Sequence, residues 1–319
     1  MNKNTLKGAI FSVPMFFNED HTVDYKALKN YLTKCLESPG VEVIFAMAYN
    51  TRYRQLSYSE IVEVSKLCCQ MASSHAKKAI IGHPYTVTNS ELLAYCHEVK
   101  QYNPYAISVL YPERYYGIKQ AVKDFIDTPK QAGIPVLVHE QKLVSGFDGS
   151  LINWPEDLLT EVLSDDNVIA VKEDSKDDQI TAKTIALSKK YHFDVIVAGG
   201  GKRRVRELIK NHGLSCWLNG SLMLFPELAK QVSERYLNQD VAYMDWYEQQ
   251  IESPYFDEFI SKVGWHVGHK AALHYLGYCQ LIERPPMPVL AAVKLDKFKP
   301  VLEQIRLNVK RNPTQIHNQ

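Results

Sequence analysis

The chain has 319 residues, 45% of them hydrophobic and 23% charged, enough to bury a large core as one α/β domain or two small ones. Its 37 basic residues nearly balance 36 acidic ones, leaving a net charge of +1 and no global field to recruit nucleic acid or an anionic membrane surface. Six cysteines (Cys35, Cys68, Cys69, Cys96, Cys216 and Cys279) form neither a C-x-x-C pair nor a zinc-site spacing, so reduced thiols in a cytoplasm are expected.

Residues 1–7 are polar and precede an apolar stretch too brief for a signal peptide, and no later segment reaches membrane-spanning length. A soluble protein is expected. Short apolar runs then alternate with segments whose apolar residues recur every three or four positions, the rhythm of a parallel sheet covered by helices. The runs are 8–13, 41–47, 79–82, 106–110, 135–139, 168–172, 195–198 and 214–218, each continuously apolar as strands buried on both faces require. Among the intervening segments, Ser57 and Glu60 spell a capping box ahead of a stripe of Ile61, Val64, Leu67, Cys68 and Met71. Val205, Leu208 and Ile209 make another stripe, which Gly213 is placed to end. Residues 222–236 read as the last barrel helix, and the remainder to Leu307 as helical, with a polar tail expected to fray.

Eight runs with this rhythm predict one α/β domain, a (β/α)8 TIM barrel over residues 1–236, with a C-terminal helical extension over 237–319 packed on it. The competing architecture is a doubly wound open sheet. It would place a glycine-rich phosphate loop after the first strand, where this chain has Pro14-Met15-Phe16-Phe17 and no G-x-G-x-x-G anywhere.

In a barrel the chemistry sits at the carboxyl ends of the strands, which directs attention to the residue ending each run. Lys172 ends Val168-Ile169-Ala170-Val171, and strict alternation puts it on the side of Val168 and Ala170. An apolar interior penalises a lysine ammonium and favours the free amine, a nucleophile for carbonyl carbon. The other reading is a strand-end lysine whose head reaches solvent or pairs with Glu173.

Four stretches bear on that choice. They are Val168-Ile169-Ala170-Val171-Lys172-Glu173-Asp174-Ser175; Gly8-Ala9-Ile10 with Thr22-Val23-Asp24-Tyr25-Lys26-Ala27-Leu28; Gly133-Ile134-Pro135-Val136-Leu137-Val138; and Lys270-Ala271-Ala272-Leu273 with Arg284-Pro285-Pro286. Through them, with matching spacing over nearly the whole chain, the sequence resembles the dihydrodipicolinate synthase / N-acetylneuraminate lyase family of Schiff-base lyases, as a divergent member. The resemblance implies an imine between Lys172 and pyruvate or another 2-oxo acid, no cofactor, and a homo-oligomer, dimer or tetramer.

The departures from the family pattern are as informative. After strand two the family has a Gly-Thr-Thr-Gly-Glu turn that holds the 2-oxo-acid carboxylate, whereas this chain has Ala48-Tyr49-Asn50-Thr51-Arg52. Both glycines are gone, and Tyr49 stands where a threonine hydroxyl would relay protons. Tyr49, Asn50 and Arg52 are the substrate-binding candidates here, with Arg52 a bidentate carboxylate ligand or a loop cation facing solvent. At strand five the family's catalytic tyrosine is replaced by His139, followed by Glu140; a histidine can move protons in imine chemistry, so His139 is the candidate general acid/base. After strand four, Tyr111-Pro112-Glu113-Arg114-Tyr115-Tyr116 aligns in several ways, leaving Tyr111 and Tyr115 as candidates for lining the site.

After strand seven comes Gly199-Gly200-Gly201-Lys202-Arg203-Arg204. A glycine turn with free amides, a helix N-terminus and adjacent cations makes an anion cradle, so Gly200, Lys202 and Arg203 are candidates for binding a distal anionic group; the other reading is a solvated helix face. His83 and Asn219 are weaker candidates. His266 and His269 lack a third ligand nearby, and no metal is expected. The function this implies is a cofactor-independent aldolase or dehydratase acting on a 2-oxo acid, with lysine biosynthesis itself disfavoured because the turn and the tyrosine are both replaced. The alternative is a barrel that lost catalysis and became a small-molecule binding or regulatory protein. An NAD-dependent dehydrogenase is remote without a dinucleotide fingerprint.

Overall fold

A computed structural model describes residues 6–46, 49–85, 87–113, 116–139, 154–198 and 203–313, with backbone alone at Arg203. The strands are β1 (Gly8–Ser12), β2 (Val43–Phe45), β3 (Lys78–Ile81), β4 (Ala106–Val109), β5 (Val136–His139), β6 (Val168–Glu173), β7 (Asp194–Val197) and β8 (Cys216–Leu218). They close into one all-parallel barrel in chain order, β8 pairing back onto β1. The helices between them are α1 (Tyr25–Glu37), α2 (Tyr58–Ser74), α3 (Asn89–Lys100), α4 (Lys119–Gln131), α5 (Glu156–Leu163), α6 (Asp178–Tyr191) and α7 (Arg203–His212). The (β/α)8 barrel read from the sequence is therefore the observed fold.

Two apolar layers account for the continuous runs. Ile10, Val43, Phe45, Ile80, Ala106, Leu137, Ala170 and Ile196 fill the barrel interior, while Phe11, Ile44, Ile81, Ile107, Val138, Val171 and Val197 meet the surrounding helices. Alternation holds except in β6. There the pairing jumps from Val136↔Val168 to Leu137↔Ala170, an irregularity that turns Val168 outward and both Ile169 and Ala170 inward. Strict alternation thus misplaced Val168, though beyond the bulge the phase is regular and Lys172 shares the inner side with Ala170.

Local signals act where the sequence put them. Ser57 Oγ accepts from the Glu60 amide (3.3 Å) and Glu60 Oε2 from the Ser57 amide (2.8 Å), a reciprocal cap that satisfies otherwise orphaned donors. Gly213 ends α7 with φ +74°, its amide bonded to Ile209 O and the Leu214 amide to Leu208 O. The helix expected at 222–236 starts later: Pro226 opens a 3-10 turn, and α8 runs Ala229–Leu237.

Beyond it, α9 (Val241–Tyr247) widens into two π-helical stretches, Glu248–Glu252 and Pro254–Ile260, and closes with the short α10 (Ser261–Val263). Then come α11 (Trp265–Tyr275) and α12 (Ala292–Lys310), separated by a proline-rich connection that no helix can cross. No helix among the described residues is long and apolar enough to cross a membrane.

Candidate active site

Lys172 and His139 are register partners on β6 and β5, and both point into the barrel from near the carboxyl ends of those strands. Each is almost wholly buried, at 4% and 2% exposure. Lys172 Nζ lies 3.0 Å from His139 Nε2 and 2.9 Å from Asp174 Oδ2, and His139 Nε2 is 3.9 Å from the same carboxylate oxygen. An amine, an imidazole and a carboxylate thus share one small volume.

Their protonation follows from that crowding. Burial, and then the Lys172 charge, push the His139 imidazole down to about 4, with Asp174 opposing. His139 is therefore neutral at physiological pH and accepts through Nε2, leaving its own proton on Nδ1. It is a base beside the amine, a different state from the near-neutral titration that histidine usually brings. Burial alone would raise the Asp174 carboxyl, but the Lys172 charge and the contacts to His139 and Lys172 outweigh it and hold Asp174 well below the usual carboxylate range.

Asp174 is the site residue that the sequence reading passed over. Positions 172 and 174 lie on the same side of an extended chain, so the i+2 spacing was the available signal, but the adjacent Glu173 drew attention instead. Glu173 faces the opposite way, accepting from the Ser175 amide (2.7 Å) and Thr181 Oγ1 (2.5 Å). The pairing of Lys172 with Glu173 is not made; Asp174 takes its place.

The turn after β2 is bound to the C-terminal helices. Arg52 sits in the left-handed region (φ 58°), nearly buried, and its Nε and Nη2 engage the carboxylate of Glu283 (3.4 and 2.9 Å), so it neither faces solvent nor stands free for a substrate carboxylate. Its Nη1 donates to Tyr49 O and approaches His266 Nδ1, both at 2.9 Å. Asn50 Oδ1 accepts from Trp265 Nε1 at 3.2 Å, and the Tyr49 hydroxyl from Arg54 at 3.3 Å. Trp265 packs so closely over the end of β8 that a Cβ on Gly220 would fall 2.4 Å from its ring, so only glycine fits there.

His83 is buried with both nitrogens engaged: Nε2 accepts from the Leu110 amide (3.1 Å), and Nδ1–H donates to Pro84 O (2.6 Å). It ties the ends of β3 and β4 together. Burial pushes it down to about 4, so it is neutral. Tyr111 is half-buried, its ring edge-on to Phe125 at 5.7 Å. Asn219 Oδ1 accepts from the Leu222 amide and Ser221 Oγ, shaping the turn after β8. Arg204 turns back toward α6, bonding Asp178, Thr181 and Ala198 O. Gly200 and Lys202 lie outside the described residues, as do Tyr115 and Glu140, and of Arg203 only its place at the start of α7 is described. No group of three or more metal-ligating side chains occurs among the described residues.

A barrel with a buried lysine on its sixth strand can be compared with solved structures. A dihydrodipicolinate synthetase from Pseudomonas aeruginosa, described as putative, superposes with a TM-score of 0.77 at 21% identity, covering 94% of this chain and 100% of that one. The 4-hydroxy-tetrahydrodipicolinate synthase of Methylacidiphilum fumariolicum SolV matches with a TM-score of 0.77 at 17% identity, over 97% and 99% of the two chains. The fold is that of the dihydrodipicolinate synthases. A prophage protein of the dihydrodipicolinic acid synthase family from E. coli K12, solved in complex with pyruvate, gives a TM-score of 0.78 at 17% identity over 95% and 99%. No protein-family model and no curated protein sequence matches the chain. The dihydrodipicolinate synthase fold thus spans nearly the whole chain at 17–21% sequence identity.

Proposed function

We propose that this protein is a Schiff-base-forming lyase, an aldolase or dehydratase, that acts on a 2-oxo acid through Lys172. The observation that carries the reading is the placement of Lys172 Nζ between a neutral imidazole at 3.0 Å and a carboxylate at 2.9 Å, at the end of a barrel strand where chemistry collects. The likeness to the dihydrodipicolinate synthase fold, including a structure with pyruvate bound, supports it.

In this mechanism His139 Nε2 takes a proton from the Lys172 ammonium, and the free amine attacks the substrate carbonyl carbon. The oxygen becomes an alkoxide and takes the surplus proton from nitrogen, giving a neutral carbinolamine. The proton held on His139 then turns the hydroxyl into water, which leaves as the C=N bond forms. The resulting iminium carries a positive charge beside Asp174, whose carboxylate stabilises it. That iminium is the electron sink for breaking a neighbouring C–C or C–O bond, and His139 moves the proton released or required.

Tyr49 and Asn50 on the turn after β2, with Tyr111 after β4, are the substrate-facing residues of this reading. Because Arg52 is engaged by Glu283 and Arg204 by α6, any distal anionic group falls in this reading to the glycine-rich, basic segment with Gly200, Lys202 and Arg203. The protein works as a homo-oligomer in the cytoplasm. The test is borohydride reduction with pyruvate and a panel of 2-oxo acids, some phosphorylated or dicarboxylic, followed by intact-protein mass spectrometry. An adduct on the wild type but not on Lys172→Ala is expected; no adduct with any acid would favour a repurposed binding barrel.

A further inference from the structure

A second buried amine lies apart from the imine site. Lys270, on α11, is 3% exposed, and it lines a small cavity of about 20 Å3 between the end of β1, the turn after β2 and α11. Arg52, His266, His269 and Glu283 share its walls. Polar groups buried this deeply ordinarily have partners, and here two do not have enough. The Lys270 ammonium has three donors; among the described residues it has one close acceptor, Met15 O at 2.9 Å, with Glu283 Oε1 farther off at 3.7 Å. The rings of Phe16 and Phe17 also lie near it, with centroids 5.3 and 5.6 Å away.

His269 is the second. It is 6% exposed, and its Nε2 has no hydrogen-bond partner among the described residues. Its Nδ1 lies 2.7 Å from the Tyr255 hydroxyl, the only acceptor that hydroxyl has among the described residues, so the tyrosine donates and Nε2 keeps the ring proton. Burial first, then coupling to His266, Arg52 and Lys270, push His269 down to about 3, so it stays neutral.

The charge balance points the same way. Arg52 and Lys270 bring two positive charges against the single carboxylate of Glu283, whose oxygens already face Arg52. What the cavity presents is spare N–H donors and an excess of positive charge in a volume that holds about one water-sized particle.

We propose that this cavity binds a monatomic monovalent anion, of the halide class, held by Lys270 Nζ and His269 Nε2. It lies apart from Lys172 and its argument does not rest on the Schiff-base reading, although Asn50, substrate-facing in that reading, lines this cavity too. An ion there would tie α11 to the end of β1 and, through Arg52, to the turn after β2.

Anomalous diffraction from wild-type crystals soaked in sodium bromide tests this directly. A bromide peak within hydrogen-bonding distance of Lys270 Nζ and His269 Nε2 is expected; a water or nothing at that position, with bromide only on the surface, overturns the proposal. Thermal unfolding gives an independent reading in sodium chloride against sodium gluconate at equal ionic strength. The chloride sample should melt higher, by about 3 °C at ten times the dissociation constant. Lys270→Met should remove the difference. Equal melting of the wild type in both salts would overturn the proposal even if that variant does not fold.

Discussion

Two lysines in this barrel are equally buried, Lys172 at 4% and Lys270 at 3% exposure, yet their surroundings divide them. Burial lowers the Lys270 ammonium from the ordinary lysine value, against the pull of Glu283. By the argument that an apolar interior makes a lysine nucleophilic, its burial alone would make it a candidate too. But its nearest acceptor is a main-chain carbonyl, and aromatic rings wall it in. Lys172 instead has a neutral imidazole to take its proton and a carboxylate to hold the charge of an iminium, at the end of a strand. Burial prepares an amine for attack, but a neighbouring base and a place for substrate decide which amine reacts.

The largest effect expected from this contrast is complete. Peptide mapping of the borohydride-trapped wild type should place the adduct on residue 172 and leave Lys270 unmodified, and Lys172→Ala should trap nothing; an adduct on Lys270 would reverse the comparison. Next, His139→Phe should slow imine formation by about 100- to 10,000-fold in a trapping time course, the range for a lost proton-transfer group. An unchanged rate would show that Lys172 loses its proton by another route.

The Lys270 region should respond in stability instead. Arg52→Ala leaves the buried Glu283 with only the more distant Lys270 (3.7 Å) and should cost up to about 3–5 kcal/mol in urea unfolding, whereas replacing both Arg52 and Glu283 with methionine should recover much of that loss. Acid dependence compares the two regions in one titration. His83 and His139 on one side, and His266 on the other, have folded-state values near 4, below the free value of 6.5. The unfolded chain therefore takes up protons first, so stability is complete above about pH 6.5 and falls as pH drops toward 4. Removing the His83 contribution with His83→Gln should reduce that total loss by up to about 3 kcal/mol.

The fold was legible because each of its signals is local. Continuous apolar runs marked the strands, Ser57 and Glu60 the start of α2, and Gly213 the end of α7. The amine of Lys172 and the imidazole of His139 were legible as strand ends. What escaped was whatever depends on contacts distant in sequence or on a slip in register. Arg52 read as a free cation because Glu283 lies 231 positions away. Val168 was misassigned because one irregular pairing in β6 shifts the alternation. Asp174 was hidden by an acidic neighbour that faces the other way, and the two uses of buried lysine could not be told apart without their partners.

The smallest expected effect tests whether the two regions communicate. Trp265 reaches from α11 to the turn after β2, where its Nε1 donates to Asn50 Oδ1 at 3.2 Å, while its ring stacks on His269 at 4.7 Å. Trp265→Phe keeps an aromatic ring in that stack and removes the hydrogen bond. Because Asn50 is only half-buried, water can replace the lost donor, and the stability cost should be about 1 kcal/mol. The kinetic consequence is more telling. If Asn50 meets the substrate carboxylate, releasing it should raise KM for the 2-oxo acid severalfold and leave the rate at saturation near that of the wild type, since Lys172 and His139 are untouched. A fall in kcat with KM unchanged would mean that the turn positions the reacting groups themselves. If neither constant moves, the C-terminal helices stabilise the barrel without tuning its chemistry, and the two buried lysines serve independent ends.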